Sequence, residues 1–153
     1  MSTPKKKQKG KAKPRRQVAA LPVRNDAQGR LRVMLMTSRE TKRLIIPKGW
    51  PMKGRKDHRA AAIEAMEEAG LVGRIHRKPM GTYIYWKRMR DHFDLCRVKV
   101  FVLEVVRQLP VWREQDERTI GWLLADDAAD LVDDAGLSRI IRKLPKRVPN
   151  RGK

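Results

Sequence analysis

The strongest constraint in this chain is a thirteen-residue segment, Asp57 to Ala69 ("DHRAAAIEAMEEA"), held between a loop carrying Gly49, Pro51 and Gly54 and the glycine at position 70. Ala-rich spacing predicts a helix here, with Asp57 as its N-cap and Gly70 as the left-handed residue that stops it. At about 100° per residue, with Glu64 at zero, Glu67 and Glu68 fall at about −60° and +40°, so the three carboxylates share one face. Ala62, Ala65, Met66 and Ala69 gather between about 100° and 200°, which predicts the face that docks on the remainder of the fold. Like charges at this spacing repel, and their neighbours three and four residues away are each other or apolar side chains.

Two readings of that acidic face follow. One is a solvated face whose acids find Lys and Arg nearby. The other is a site for a hard cation: Mg²⁺ is held by one or two carboxylates together with waters and substrate phosphates. The loop just upstream carries Lys48, Lys53, Arg55 and Lys56, where phosphate oxygens would need countercharge.

The flanking sequence predicts the fold that carries this helix. "QVAALPV", "LRVMLMTS", "RLIIP", "GTYIYWKR", "LCRVKVFVLEVV" and "IGWLL" read as strands, and "RNDAQGR" as a turn between the first two. "ADDAADLVDD" and "LSRIIRKL" read as closing helices. Strands, loop, helix, strands and helix in that order predict an α/β or α+β domain with helices packed on a mixed sheet.

Charge divides the chain further. Of 37 Lys and Arg in 153 residues, eight lie in residues 1–17 and six in residues 142–153, with no acid in either segment. Residues 1–16 read as a disordered basic tail and 145–153 as a second one, solvated or gripping RNA or another polyanion through salt-dependent contacts. No apolar run approaches the roughly 20 residues that span a bilayer, so no membrane partner is expected. The basic N-terminus has no apolar run behind it, so it does not read as a secretory signal. The single Cys96 excludes an internal disulfide and predicts a cytoplasmic location; His58, His76 and His92 show no metal-ligand spacing.

From Gly49 to Leu71 the chain resembles the signature of the Nudix hydrolases, G-x5-E-x7-R-E-U-x-E-E-x-G-U, with U apolar. Its second half falls on Glu64, Ala65, Glu67, Glu68, Gly70 and Leu71. Two positions depart: Arg55 stands at the first Glu of the pattern and Ile63 at its Arg. "MTSRETKRLIIPKGW" and "WREQDERTIGWLLADDAADLVDDAGLSRII" are similar to the branch that includes diphosphoinositol polyphosphate and diadenosine polyphosphate hydrolases, so the resemblance covers about residues 17–144.

The resemblance implies an α/β/α sandwich with a mixed β-sheet and a pyrophosphohydrolase. It implies Mg²⁺ or Mn²⁺ held by Glu64, Glu67 and Glu68, with the Gly49 carbonyl as a further ligand, and the same Glu residues activating water. Ser38, Arg39, Lys48 and Lys53 would face substrate phosphates. Of Glu114, Asp116 and Glu117, the last is the expected extra carboxylate. The implied substrate is a dinucleoside polyphosphate, an inositol pyrophosphate or a nucleoside diphosphate derivative. The triphosphorylated end of RNA is an alternative, as is a Nudix-fold polyanion-binding module with little turnover.

Overall fold

The computed structural model describes residues 13–149. Residues 1–12, most of the expected N-terminal tail, lie outside them, as do 150–153. The described chain runs β1 (Arg15–Asn25), β2 (Leu31–Thr37), β3 (Leu44–Ile45), β4 (Lys48–Gly49), α1 (Asp57–Ala69), β5 (Leu71–Ile75), β6 (Gly81–Arg88), β7 (Phe93–Gln108), a 3₁₀ turn (Gln115–Glu117), β8 (Ile120–Leu124), α2 (Ala125–Leu131) and α3 (Ala135–Arg142).

β1 and the sixteen-residue β7 lie side by side in parallel at the centre, from Arg15 opposite Cys96 to Val23 opposite Glu104. Every other pairing is antiparallel: β2 and β4 on β1, β3 and β8 on β2, and β5 and β6 on successive halves of β7. A strand sends alternate side chains to opposite faces, and β1 is apolar on both. Ala19, Leu21 and Val23 enter one core with Tyr83, Val98, Ala128, Leu137 and Ile141, under α2 and α3. Val18 and Ala20 enter the other with Ala60, Ala61, Ala65, Ala69, Phe101 and Leu103, under α1. Helices thus cover both faces, and the fold is the mixed-sheet α/β sandwich expected. No helix among the described residues is long and apolar enough to cross a membrane.

Four details differ from the sequence reading. Asp57 is the first residue of α1, not its cap: Lys56 holds the cap position without a side-chain bond, and the Asp57 carboxylate accepts hydrogen bonds from Arg16 and Lys99, both at 3.0 Å. α1 is also rotated from the expected orientation. Ala60 and Ala61 are fully buried while Met66 is 40% exposed, which brings Glu68 (7% exposed) into the buried face. "LVGRI" after Gly70 forms β5, a strand hidden in the sequence by its glycine. A side chain at Gly73 would strike the Glu104 carbonyl, and the register of β5 on β7 shifts at that point. Both segments assigned to tails take part in the domain. Arg15 and Arg16 belong to β1, and Asn25 pairs through its side-chain amide with both backbone groups of Val148, at 3.0 Å each.

Gly70 (φ 67°) ends α1 as expected, its N–H donating to Met66 at 2.9 Å. A Cβ there would lie 2.4 Å from the Trp112 ring and 2.7 Å from Gln108, whereas Gly54 (φ 78°) has open space around it. Alanine in the left-handed region costs about 1–2 kcal/mol at either position; overpacking adds about 1–3 kcal/mol at Gly70 alone. Urea denaturation should therefore show Gly70→Ala losing clearly more stability than Gly54→Ala, and equal losses would contradict the packing of Trp112.

Candidate active site

Two residues of β4 set the geometry. β4 pairs with β1 so that Val18 faces Gly49 and Ala19 faces Lys48. Directly opposed residues share a face of the sheet, so position 49 looks toward α1 and position 48 toward the opposite side. A Cβ on Gly49 would fall 2.2 Å from Glu64 Oε2 and 2.4 Å from its carboxyl carbon. The Glu64 carboxylate therefore lies directly against the glycine backbone. One turn further along α1, Glu68 Oε1 accepts the Lys48 N–H at 3.3 Å.

Glu64 and Glu68 are within hydrogen-bonding reach of each other. Burial first, then the Glu64 carboxyl, pushes Glu68 up to about 8, against the pull of Arg118. Burial likewise raises Glu64, with Glu67 and Glu114 adding to it. Two partly dehydrated carboxylates cannot both stay ionised side by side without a positive partner, and a divalent cation supplies one. The donor set fits such an ion: two carboxylates gathered beside a glycine backbone that Glu64 approaches directly. Glu67 is turned aside. Its carboxylate lies 3.7 Å from Arg113 and its carbonyl accepts the Glu114 N–H at 3.1 Å. Accordingly, no three acidic, His or Cys side chains among the described residues are gathered closely enough to enclose an ion.

The phosphate-facing candidates are dispersed. Arg39 donates to Glu117 at 2.9 Å, and its pKa is raised by that bond and then by the charge of Glu114, with Glu68 contributing less. Ser38 bonds Thr41 and accepts the Arg43 N–H, shaping the turn that presents Arg39. Lys53 is exposed. The Lys48 ammonium crosses to the other face and sits 4.9 Å above the Tyr85 ring, its pKa lowered by burial to about 8. Tyr85 lines a groove of about 770 Å³ with Trp86, Arg97, Arg139 and Lys143. Trp50 and Trp122 are stacked under Arg15 and Arg24.

The sequence reading passed over Arg118. It is 8% exposed, donates to Glu114 at 2.9 Å and to the Thr37 carbonyl at 3.1 Å, and stands 3.9 Å from Glu68. Glu114, not Glu117, is the acid of this loop that Glu64 and Glu68 feel. Glu114 is among the expected candidates for an extra carboxylate, with Glu117 preferred; position alone gives no signal for Arg118, which reaches α1 from about fifty residues away.

No protein-family model matches the chain. Among curated proteins it is 32% identical over 112 residues to the mitochondrial Nudix hydrolase 13 of Arabidopsis thaliana, covering 69% of this chain and 55% of the relative. It is 33% identical over 104 residues to the mitochondrial Nudix hydrolase 16 of the same plant, covering 65% and 57%. The chain thus spans just over half the length of these relatives. Among solved structures, the Ap4A hydrolase of C. elegans in a binary complex superposes with a TM-score of 0.62 at 20% identity, covering 84% of this chain and 93% of that one. A NUDIX hydrolase from Nitrosomonas europaea gives 0.64 at 18% identity, covering 90% and 94%. The chain belongs to the Nudix hydrolase family. The cytoplasmic location expected from Cys96 is overturned by the two plant relatives, both mitochondrial by name. A buried, unpaired thiol fits any reducing compartment and does not select the cytoplasm.

Gly49 has an ordinary backbone conformation, so alanine there threatens the Glu64 carboxylate rather than the chain. Gly49→Ala should remain folded yet bind Mn²⁺ at least about tenfold more weakly by calorimetric titration, the scale on which displaced metal-supporting groups act. Unchanged affinity would separate Gly49 from the metal site.

Proposed function

We propose that this protein hydrolyses a pyrophosphate linkage in a highly phosphorylated substrate, with Mg²⁺ or Mn²⁺ held by Glu64, Glu67 and Glu68 and the Gly49 carbonyl. The observation that carries this reading is the Glu64–Glu68 pair packed against Gly49, Glu68 buried and Glu64 partly so, two acids kept together with little positive charge beside them. When bound, the divalent ion polarises the phosphate and lowers the pKa of water.

The chain's own groups do the remainder. Glu68 is fixed by the Lys48 N–H and flanked by Arg118, which is itself held by Glu114 and Thr37, so its carboxylate has a defined direction. Glu64 is confined by Gly49. Glu67, whose side chain is about a third exposed (34%) and lies near Arg113, would turn inward to complete the set. Arg39, which now donates one hydrogen bond to Glu117, exchanges it for a substrate phosphate, whose oxygens match its forked donors. Lys53, exposed on the loop ahead of α1, adds countercharge, whereas the Lys48 ammonium is directed across the sheet to Tyr85. The substrate proposed is a dinucleoside polyphosphate, an inositol pyrophosphate or a nucleoside diphosphate derivative; one structural neighbour is an Ap4A hydrolase.

A panel of these compounds incubated with Mg²⁺ tests the proposal. Phosphate release should appear for at least one, stop with EDTA, and fall at least about a hundredfold in Glu68→Gln, the scale of a lost acid–base or ligand group. Turnover that is indifferent to both EDTA and Glu68→Gln would refute it.

A further inference from the structure

At the start of α1, away from the carboxylates, the fold assembles a different site. Gly70 reverses the chain and β5 retraces the helix, which brings Arg77, two residues beyond β5, beside the first turn. There it joins Gly54, Arg55, Lys56, His58 and Arg59 around a cleft of about 630 Å³.

Four strong cations converge on this cleft. Arg55, Lys56, Arg59 and Arg77 take part in no ion pair among the described residues, although sixteen acid–base contacts are formed elsewhere. The one acid nearby, Asp57, is engaged by Arg16 and Lys99. Burial, followed by the charges of Arg59, Arg77 and Lys56, holds the His58 pKa below its usual value. The reversal of charge at position 55, from the Glu of the Nudix pattern to Arg, adds one of the four. The cleft has no large aromatic in its lining, so it offers charge and N–H donors without a stacking surface for a base.

We propose that this cleft is a second anion site that binds consecutive phosphates of a chain-like polyanion, reading the phosphates alone. The arginines supply forked donors suited to phosphate oxygens. At about 1.5 Å per residue Arg59 lies about 7.5 Å along the helix axis from Glu64 and about 13.5 Å from Glu68, and none of the three carboxylates lines the cleft. The same phosphate chemistry is present in an RNA backbone and in inorganic polyphosphate.

Fluorescence anisotropy with a short labelled RNA bearing a 5′-hydroxyl, in EDTA, tests the cleft without engaging hydrolysis. Arg59→Gln/Arg77→Gln should weaken binding about tenfold or more. It should also flatten the dependence of log affinity on log salt by about 1.4, at about 0.7 per phosphate contact on a single strand. Arg90→Gln/Arg107→Gln removes the same charge from exposed positions outside the cleft and should change both quantities little. Thermal unfolding of both variants checks that the fold is kept. Equal losses in the two variants would overturn the site in favour of diffuse charge. Inorganic polyphosphate should displace the RNA at comparable phosphate concentration; failure to do so would overturn the claim that phosphate alone is read. Because metal is absent throughout, neither result depends on whether the protein hydrolyses pyrophosphates.

Discussion

Glu64 and Gly49 meet so closely that one added carbon would be driven into the carboxylate. Everything around the candidate active site is arranged by that approach. β4 is only two residues long, yet its pairing with β1 fixes which way each residue faces. Gly49 therefore receives Glu64, the Lys48 backbone receives Glu68, and the Lys48 side chain is sent through to Tyr85. On the helix side, Ala60, Ala61, Ala65 and Ala69 keep α1 near the sheet, because no larger side chain separates them. Small residues on one element and a glycine on the other are what allow Glu68 to be buried and Glu64 partly buried at this junction.

That burial has an electrostatic consequence. A dehydrated acidic pair is unfavourable unless something positive stands with it. Arg118 supplies only part of the requirement. Two of its donors are committed to Glu114 and Thr37, and its approach to Glu68 is 3.9 Å, outside hydrogen-bonding range. The acids consequently keep raised pKa values instead of forming a closed salt bridge. Arg118 also ties the 114–118 loop to β2 through the Thr37 carbonyl and places its charge beside Glu68 of α1.

Local signals were readable in the sequence where physics is local. The helix limits followed from Gly70 and the Ala-rich periodicity. The turn between β1 and β2 followed from Asn25, Asp26 and Gly29, and Asp26 indeed accepts the backbone N–H groups of Gln28 and Arg30. The carboxylate face of α1 was readable as a face. Its direction was not: the wheel placed Met66 inward, whereas docking against β4 turns Glu68 inward and leaves Met66 partly exposed. Lys48 was read as a neighbour of the acids from its place in the loop, but strand alternation sends its ammonium elsewhere. Glu114 is a candidate acid in the sequence, but the choice between it and Glu117, like the roles of Arg118 and the docking of Arg77 beside Arg59, depends on contacts between distant segments, which composition and periodicity do not encode.

The cation proposed between α1 and β4 can be located directly. Crystals grown with Mn²⁺ and measured at a wavelength where manganese scatters anomalously should show a peak bridging the Glu64 and Glu68 carboxylates within reach of the Gly49 carbonyl, with Glu67 swung away from Arg113. A crystal without such a peak, in which Arg118 has closed onto Glu68 and Glu67 remains with Arg113, would contradict the account.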